Sequence, residues 1–241
     1  MSLTRLDKII SDSGLATRSE AREIIACGRV RVDGEVVTST AFKTDSAHSR
    51  VSMDGKTIAG GFRYFMLNKP DEVLSATEDR DQKTVLDLMP REFAKLGLFP
   101  VGRLDKDTTG LLILTNDGDF GHYVASPKHH IKKLYEVSVE GPLNYDDIKA
   151  FESGIVLQDG TTCLPAALKI DESDFRHGFV TVFEGKYHQV KRMLASRGKH
   201  VRTLKRIAIG DLSLDPSLNE GEFKELTEND INLIVNRNVT K

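Results

Sequence analysis

The sequence predicts an α+β protein of two domains, a small helical and hairpin module followed by a larger domain that alternates strands with a few helices. Three observations carry this reading. The hydrophobic period switches between helical spacing and strict alternation along the chain. Gly60-Gly61 interrupts the pattern just after a first segment that ends near Ala59. A chain of 241 residues also has room for a small module plus a medium domain, each with its own core. The expected division is residues 1–59, a joint at 60–63, and a second domain over 64–241.

Within the module, Thr17 and Glu20 have the spacing of a capping box, Ala21, Ile24 and Ile25 form one apolar helical face, and Gly28 stands where the helix should stop. The period then changes. Val30 and Val32 alternate with Arg29 and Arg31, and Asp33-Gly34 supplies a tight hairpin turn that Asp54-Gly55 repeats. Arg18 and Arg22 lie on one face of the short helix and Arg29 and Arg31 follow it, so four guanidinium groups could line one groove suited to phosphate oxygens. Surface salt bridges with Glu20, Glu23 and Glu35 are the competing use for them.

The second domain opens on the apolar strand Tyr64-Phe65-Met66-Leu67. Further strands are expected near 98–102, 110–115, 133–140, 155–158, 164–170, 178–184 and 202–213, and helices near 84–89, 118–125, 144–153, 187–197 and 227–235. No glycine-rich dinucleotide fingerprint or Walker loop is present, and no internal repeat. No apolar run reaches the roughly 18 residues of a membrane span, and the N-terminus lacks the pattern of a secretory signal. Cys27 and Cys163, isolated and far apart, build neither a disulfide framework nor a zinc motif, which fits a reducing cytoplasm. No heptad or apolar surface stripe argues against a monomer.

The net charge of −2 conceals two opposing patches. Residues 186–206, KYHQVKRMLASRGKHVRTLKR, carry Lys186, Lys191, Arg192, Arg197, Lys199, Arg202, Lys205 and Arg206 with no acid, whereas acids crowd the segment from Asp211 to Asp230. A basic stripe of this kind is an electrostatic footprint for phosphates. Lys128, His129, His130, Lys132 and Lys133 add a second basic strip, and its paired histidines lack a Cys or carboxylate to complete a zinc set.

The most informative segment is PVGRLDKDTTGLLILTNDG at 100–118, where Asp105 sits in a polar loop between two apolar strands. On this segment alone a hairpin turn with solvated aspartates is the favoured reading, and a catalytic carboxylate held by rigid scaffold is the alternative. Asp105, Asp107, Thr109 and Gly110 imitate the first positions of a calcium-binding loop, but Asn116 stands where a bidentate Glu is required and no helix pattern follows. Arg103, two residues before Asp105 in extended backbone, would face the same side, or else pair with Asp107.

TRLDKIISDSGLATRSEAREIIACGRVRVDGEVV resembles the S4-type RNA-binding module, a resemblance that covers residues 4 to about 50 and implies RNA docking, for which Arg18, Arg22, Arg29 and Arg31 are the candidate contacts. The order FMLNKP, GRLDKDTTGLLILTNDG, KKLYEV at 132–137 and EGKYHQVKRML at 184–194 resembles the RsuA-type pseudouridine synthases, which act on bacterial ribosomal RNA. That resemblance implies a mixed, mainly antiparallel sheet domain and a cofactor-free isomerase with no metal. It implies that Asp105 is the essential aspartate, Lys191 its ion-pair partner and Tyr135 the active-site tyrosine, with Arg192 as the neighbour that could replace Lys191. Arg103, Lys186 and His188 then join Arg192 as substrate-facing groups around a flipped base. The similarity is strongest to small-subunit enzymes, with ribosomal RNA in an assembly intermediate as the expected partner. A large-subunit enzyme of the same family and a non-catalytic assembly factor are the alternatives.

Overall fold

A computed structural model describes residues 3–13, 15–46, 49–59 and 62–235. The chain separates into two compact units, Met1–Phe62 and Arg63–Lys241. Gly60-Gly61, the expected joint, lies outside the described residues. Among those residues no helix is long and apolar enough to cross a membrane.

The first unit runs β1 (Leu3–Arg5), α1 (Leu6–Asp12), α2 (Arg18–Ala26), β2 (Val30–Val32), β3 (Glu35–Val37), β4 (Lys43–Asp45), β5 (Val51–Met53) and β6 (Lys56–Ala59). β3-β2-β5-β6 form one antiparallel sheet and β1 pairs with β4. The Thr17–Glu20 capping box forms at the start of α2, and Gly28 follows its end at φ 71°. Both hairpins turn through an Asp-Gly pair with positive φ at each residue, 52° and 90° at Asp33-Gly34 and 50° and 80° at Asp54-Gly55. That is the turn whose twist matches paired strands. Leu6, Ile9, Ile10, Ala21, Ile25, Val30 and Val51 close the core.

The arginines of this unit are committed differently from the sequence expectation. Asp7 is fully buried and gathers Arg5 and Arg22 at 3.0 Å and Arg18 at 3.5 Å. Burial pushes its carboxyl up, but bonds from Arg5 and Arg22 outweigh this and hold it at about 2. A folded-state value below the unfolded one stabilises the unit above about pH 4 and ceases to do so as pH falls toward 2. Asp7→Asn is therefore expected to destabilise α1 and α2 by about 2 kcal/mol at neutral pH. Faster hydrogen exchange across residues 6–10 and 18–26 would register the loss, and the difference from the unaltered protein should vanish near pH 2.

The second unit contains β7 (Tyr64–Lys69), β8 (Phe99–Pro100), β9 (Thr109–Thr115), α3 (Gly118–Ala125), β10 (Lys133–Val139), α4 (Tyr145–Ser153), β11 (Ala167–Ile170), β12 (His177–Val182), α5 (Gln189–Ser196), β13 (Val201–Ile209), β14 (Leu212–Ser213), β15 (Phe223–Glu225) and α6 (Glu228–Val235). Its sheet has the order β11-β12-β10-β13-β9-β7-β15, with β8 and β14 as side partners. Every pairing is antiparallel except β13 with β9. The mixed, mainly antiparallel sheet expected of this domain is present.

Several elements differ from expectation: the strand expected over 98–102 is only Phe99–Pro100, and β15 has no counterpart in the expected set. Residues 155–158 alternate as a strand should, but turns at Gly154 and Gly160 leave only the single bridge Val156–Thr162. The strand expected over 164–170 begins at Ala167. The one expected over 202–213 folds back at Gly210 into β13 and β14; the turn takes glycine, with φ 57°, where a side chain would meet the Ile234 carbonyl at 2.6 Å. The helix expected at 84–89 is one short 3-10 turn over Val85–Leu88.

Two features of the sheet centre place the site. At the parallel contact, Arg206 lies beside Gly110, whose φ is 99°. Between Leu134 and Tyr135 the β10–β13 register shifts by one residue, so Ile207 is bulged. The bulge puts Lys205, Ile207 and Ala208 toward one face and Arg206 and Ile209 toward the other, which strict alternation would not allow.

Candidate active site

The loop that carries Asp105 is pinned from three directions. Val101 donates to the Ile113 carbonyl at 2.8 Å, and Ser75 bonds both the amide and the carbonyl of Leu104. Beneath the loop Lys69, fully buried at the end of β7, donates to the carbonyls of Pro70, Lys106 and Thr108 at 2.9–3.0 Å. Burial pulls its ammonium down to about 8, against the opposing pull of nearby carboxylates. Three carbonyls converging on one buried ammonium fix the loop backbone, and with it the direction in which Asp105 points.

From the other side, α5 brings a basic face to this carboxylate. Val190, Met193 and Leu194 bury one stripe of the helix. Lys191 is directed at the loop, 3.1 Å from Asp105 Oδ2 and 2.5 Å from Asp107 Oδ1. Burial pulls the Lys191 ammonium down, but the bonds to Asp107 and Asp105 outweigh it and hold it above an ordinary lysine. The same bond from Lys191 holds the Asp107 carboxyl below its ordinary value. His188, in left-handed backbone just before α5, places Nε2 3.4 Å from Asp105 Oδ1. Arg192 points elsewhere, to Asp159 at 2.5 Å. Of the two adjacent cations only Lys191 faces Asp105, as the rotation of about 100° between consecutive helical residues requires.

Asp105 opens onto a cleft of about 840 Å³ that Arg103, Tyr135, Lys186, His188, Lys133 and Arg206 also line. Tyr135 is half-buried, packed against apolar residues on both sides of the sheet centre while its ring borders the cleft. Arg103 does not pair with Asp107, which Lys191 holds instead, and its side chain stands exposed at the rim. Lys186 is tied to the buried Glu184 at 2.7 Å and to the Thr162 carbonyl at 2.6 Å. The structure thus gathers Asp105, Tyr135, Lys191, Arg103, Lys186 and His188, and directs Arg192 away.

In the first unit Arg18 and Arg22 converge on Asp7, Arg29 forms a two-bond fork with Asp54, and Arg31 donates to the Gly34 carbonyl at 2.9 Å. The acids paired with these arginines are Asp7 and Asp54, not the glutamates that the sequence offered. Sequence reasoning also missed Lys69, Ser75 and Glu184. Lys69 had a signal, a lysine closing the strand Tyr64–Lys69 behind its apolar run Phe65-Met66-Leu67 and just before proline. Glu184 had a weaker one: Gln189, five residues on, donates to it at 2.9 Å and closes the turn into α5.

Lys191→Gln is expected to lower turnover about a hundredfold, since one charge positions Asp105 and offsets Asp107. Lys191→Arg should restore most of it, and initial rates of the variants measured side by side would check both expectations.

Matches to known proteins extend over both units. Residues 63–196 match the family model described as RNA pseudouridylate synthase, and residues 4–46 match the S4 domain. The chain is 41% identical over 233 residues to the uncharacterized RNA pseudouridine synthase YtzG of Bacillus subtilis, covering 95% of this chain and 98% of that one. It is 42% identical over 235 residues to ribosomal small subunit pseudouridine synthase A of Escherichia coli, covering 96% and 100%. A crystal structure of a pseudouridylate synthase superposes with a TM-score of 0.69 at 38% identity, over 96% of this chain and 99% of that one.

Proposed function

The chain belongs to the RNA pseudouridylate synthase family, with an S4 domain at its N-terminus, and we propose that it isomerises a specific uridine of small-subunit ribosomal RNA. The observation that carries the site assignment is Asp105, held by Lys191 and bordering the same cleft as Tyr135. Making pseudouridine requires breaking the N1–C1′ bond, turning the released base, bonding C5 to C1′, and removing the proton from C5. Asp105 serves at C1′ or at an adjacent sugar proton, where an ionised carboxylate can attack, stabilise positive charge or accept a proton. Tyr135 stacks on the uracil and relays the C5 proton through its hydroxyl. Lys191, 3.1 Å from Oδ2, keeps the carboxylate oriented.

A target inside folded RNA must leave its stack to reach such a cleft, and Arg103 at the rim is placed to fill the gap or hold the displaced strand. Lys186 and His188 border the same entrance. Arg192 meets RNA outside the cleft. The S4 domain docks the RNA through Arg18, Arg22, Arg29 and Arg31: Arg29 can exchange its exposed partner for a phosphate, Arg31 lies exposed, and Arg18 and Arg22, half exposed, offer their outward donors while they continue to hold Asp7. The protein works as a monomer in the cytoplasm on an assembly intermediate of the small subunit.

The test is pseudouridine mapping after incubation with small-subunit RNA, free and partly assembled, and with large-subunit RNA. One new pseudouridine in small-subunit RNA is the expected result. A product only in large-subunit RNA would transfer the assignment to that subunit, and binding without any product would make the chain an assembly factor.

A further inference from the structure

Deep in the cleft, beyond Asp105, two cations stand without an anion. Lys133 on β10 and Arg206 on β13 are 93% and 96% buried, both line the cleft, and neither forms an ion pair among the described residues. Lys133 uses one donor, to the Val124 carbonyl at 2.9 Å. Arg206 uses only Nε, to the Leu111 carbonyl at 2.8 Å, and its Nη2 is buried with no partner. Burial first, and then the neighbouring Arg206, pull the Lys133 ammonium down to about 8, with no carboxylate in opposition. Nothing in the fold repays this arrangement, since buried charges are ordinarily paired and a guanidinium cannot shed its proton.

Both groups are held in position rather than left over. Lys133 and Tyr135, two apart on one strand, face the cleft together about 7 Å apart. Arg206 is the direct cross-strand partner of Tyr135, and the bulge at Ile207 gives it the same face. The ring proposed to carry the uracil therefore has a cation along its own strand and another across from it.

We propose that Lys133 and Arg206 form a phosphate site for the flipped nucleotide, gripping a phosphodiester that adjoins the target uridine while its base lies on Tyr135. This rests on the functional reading above, which supplies a nucleotide in the cleft. The incoming phosphate neutralises both cations and takes the free Nη and Nζ donors in charge-assisted bonds. A uridine bearing its phosphate would thus be retained, and a free nucleoside would not.

The probes are uridine, uridine 5′-monophosphate and uridine 3′-monophosphate, titrated calorimetrically into the full-length protein. At least one monophosphate is expected to bind about tenfold more tightly than uridine. Inorganic phosphate should erode that advantage, and whichever isomer binds better identifies the phosphate on the 5′ or the 3′ side. In Lys133→Met the advantage should shrink to about twofold or less, and Lys133→Arg should recover it. Equal binding of all three probes to the unaltered protein would overturn the site, as would an advantage unchanged in Lys133→Met. If pseudouridine still forms in ribosomal RNA, either of those results leaves the function standing. Failure of RNA conversion alongside a Lys133-dependent phosphate preference would overturn the functional reading instead.

Discussion

Asp105→Asn is expected to abolish pseudouridine formation, with a fall in turnover on the order of 10⁴ or more, while the fold and RNA binding persist. The amide matches the carboxylate in shape but has neither the negative charge to stabilise C1′ nor the lone-pair basicity to attack it or take a proton. The fold should survive because Lys191 keeps Asp107 as a partner, so no cation is stranded. The loop should keep its course because Lys69, Ser75 and Ile113 hold its backbone without using the Asp105 side chain. Release of tritium from RNA labelled at uridine C5 gives the rate, and a gel-shift assay gives the binding. Residual turnover within tenfold of the unaltered protein would remove Asp105 from the chemistry; loss of binding together with turnover would make it a structural residue.

Gly110→Ala should bring the largest loss of stability. Its backbone has φ 99°, and an added Cβ would lie 2.3 Å from the Arg206 carbonyl oxygen and 2.8 Å from the Arg206 nitrogen. Neither atom belongs to a side chain that can swing away, so relief requires β9 to separate from β13 where the sheet is parallel. Strain and lost contacts together should cost about 3 kcal/mol or more. In a unit of this size that lowers the unfolding midpoint by about 10 °C, readable by calorimetry. Turnover should fall too, because the same displacement moves the Asp105 loop relative to Arg206 and Tyr135. An unchanged midpoint would mean that the two strands are less closely joined than their register implies.

Much of the architecture was legible where local chemistry decides it. The capping box at Thr17, the Asp-Gly hairpins and the strand at Tyr64 depend on neighbours within a few residues. The candidate site was legible by another route, since the ordered motifs around Asp105, Tyr135 and Lys191 identify residues that pattern alone would assign to a turn, a core and a solvated helix. Contacts between distant segments were not readable. Asp7 lies in an unremarkable helix until the fold brings Arg22 to it, and the 155–158 segment had the right alternation but no strand beside it. Lys133 and Arg206 looked like members of exposed basic strips, because charge in a sequence does not reveal which face of a sheet a bulge will give it.

The three-carbonyl hold on Lys69 has a bearing on how this chain can be engineered. A methionine at that position would fill similar volume and suit the apolar strand, so a library screened only for heat resistance would be tempted to accept it. The cost would surface elsewhere, as a loop that no longer keeps its aim. Screens on this scaffold should therefore score turnover alongside melting temperature, for the lysine that looks most replaceable in the core is the one that sights the carboxylate.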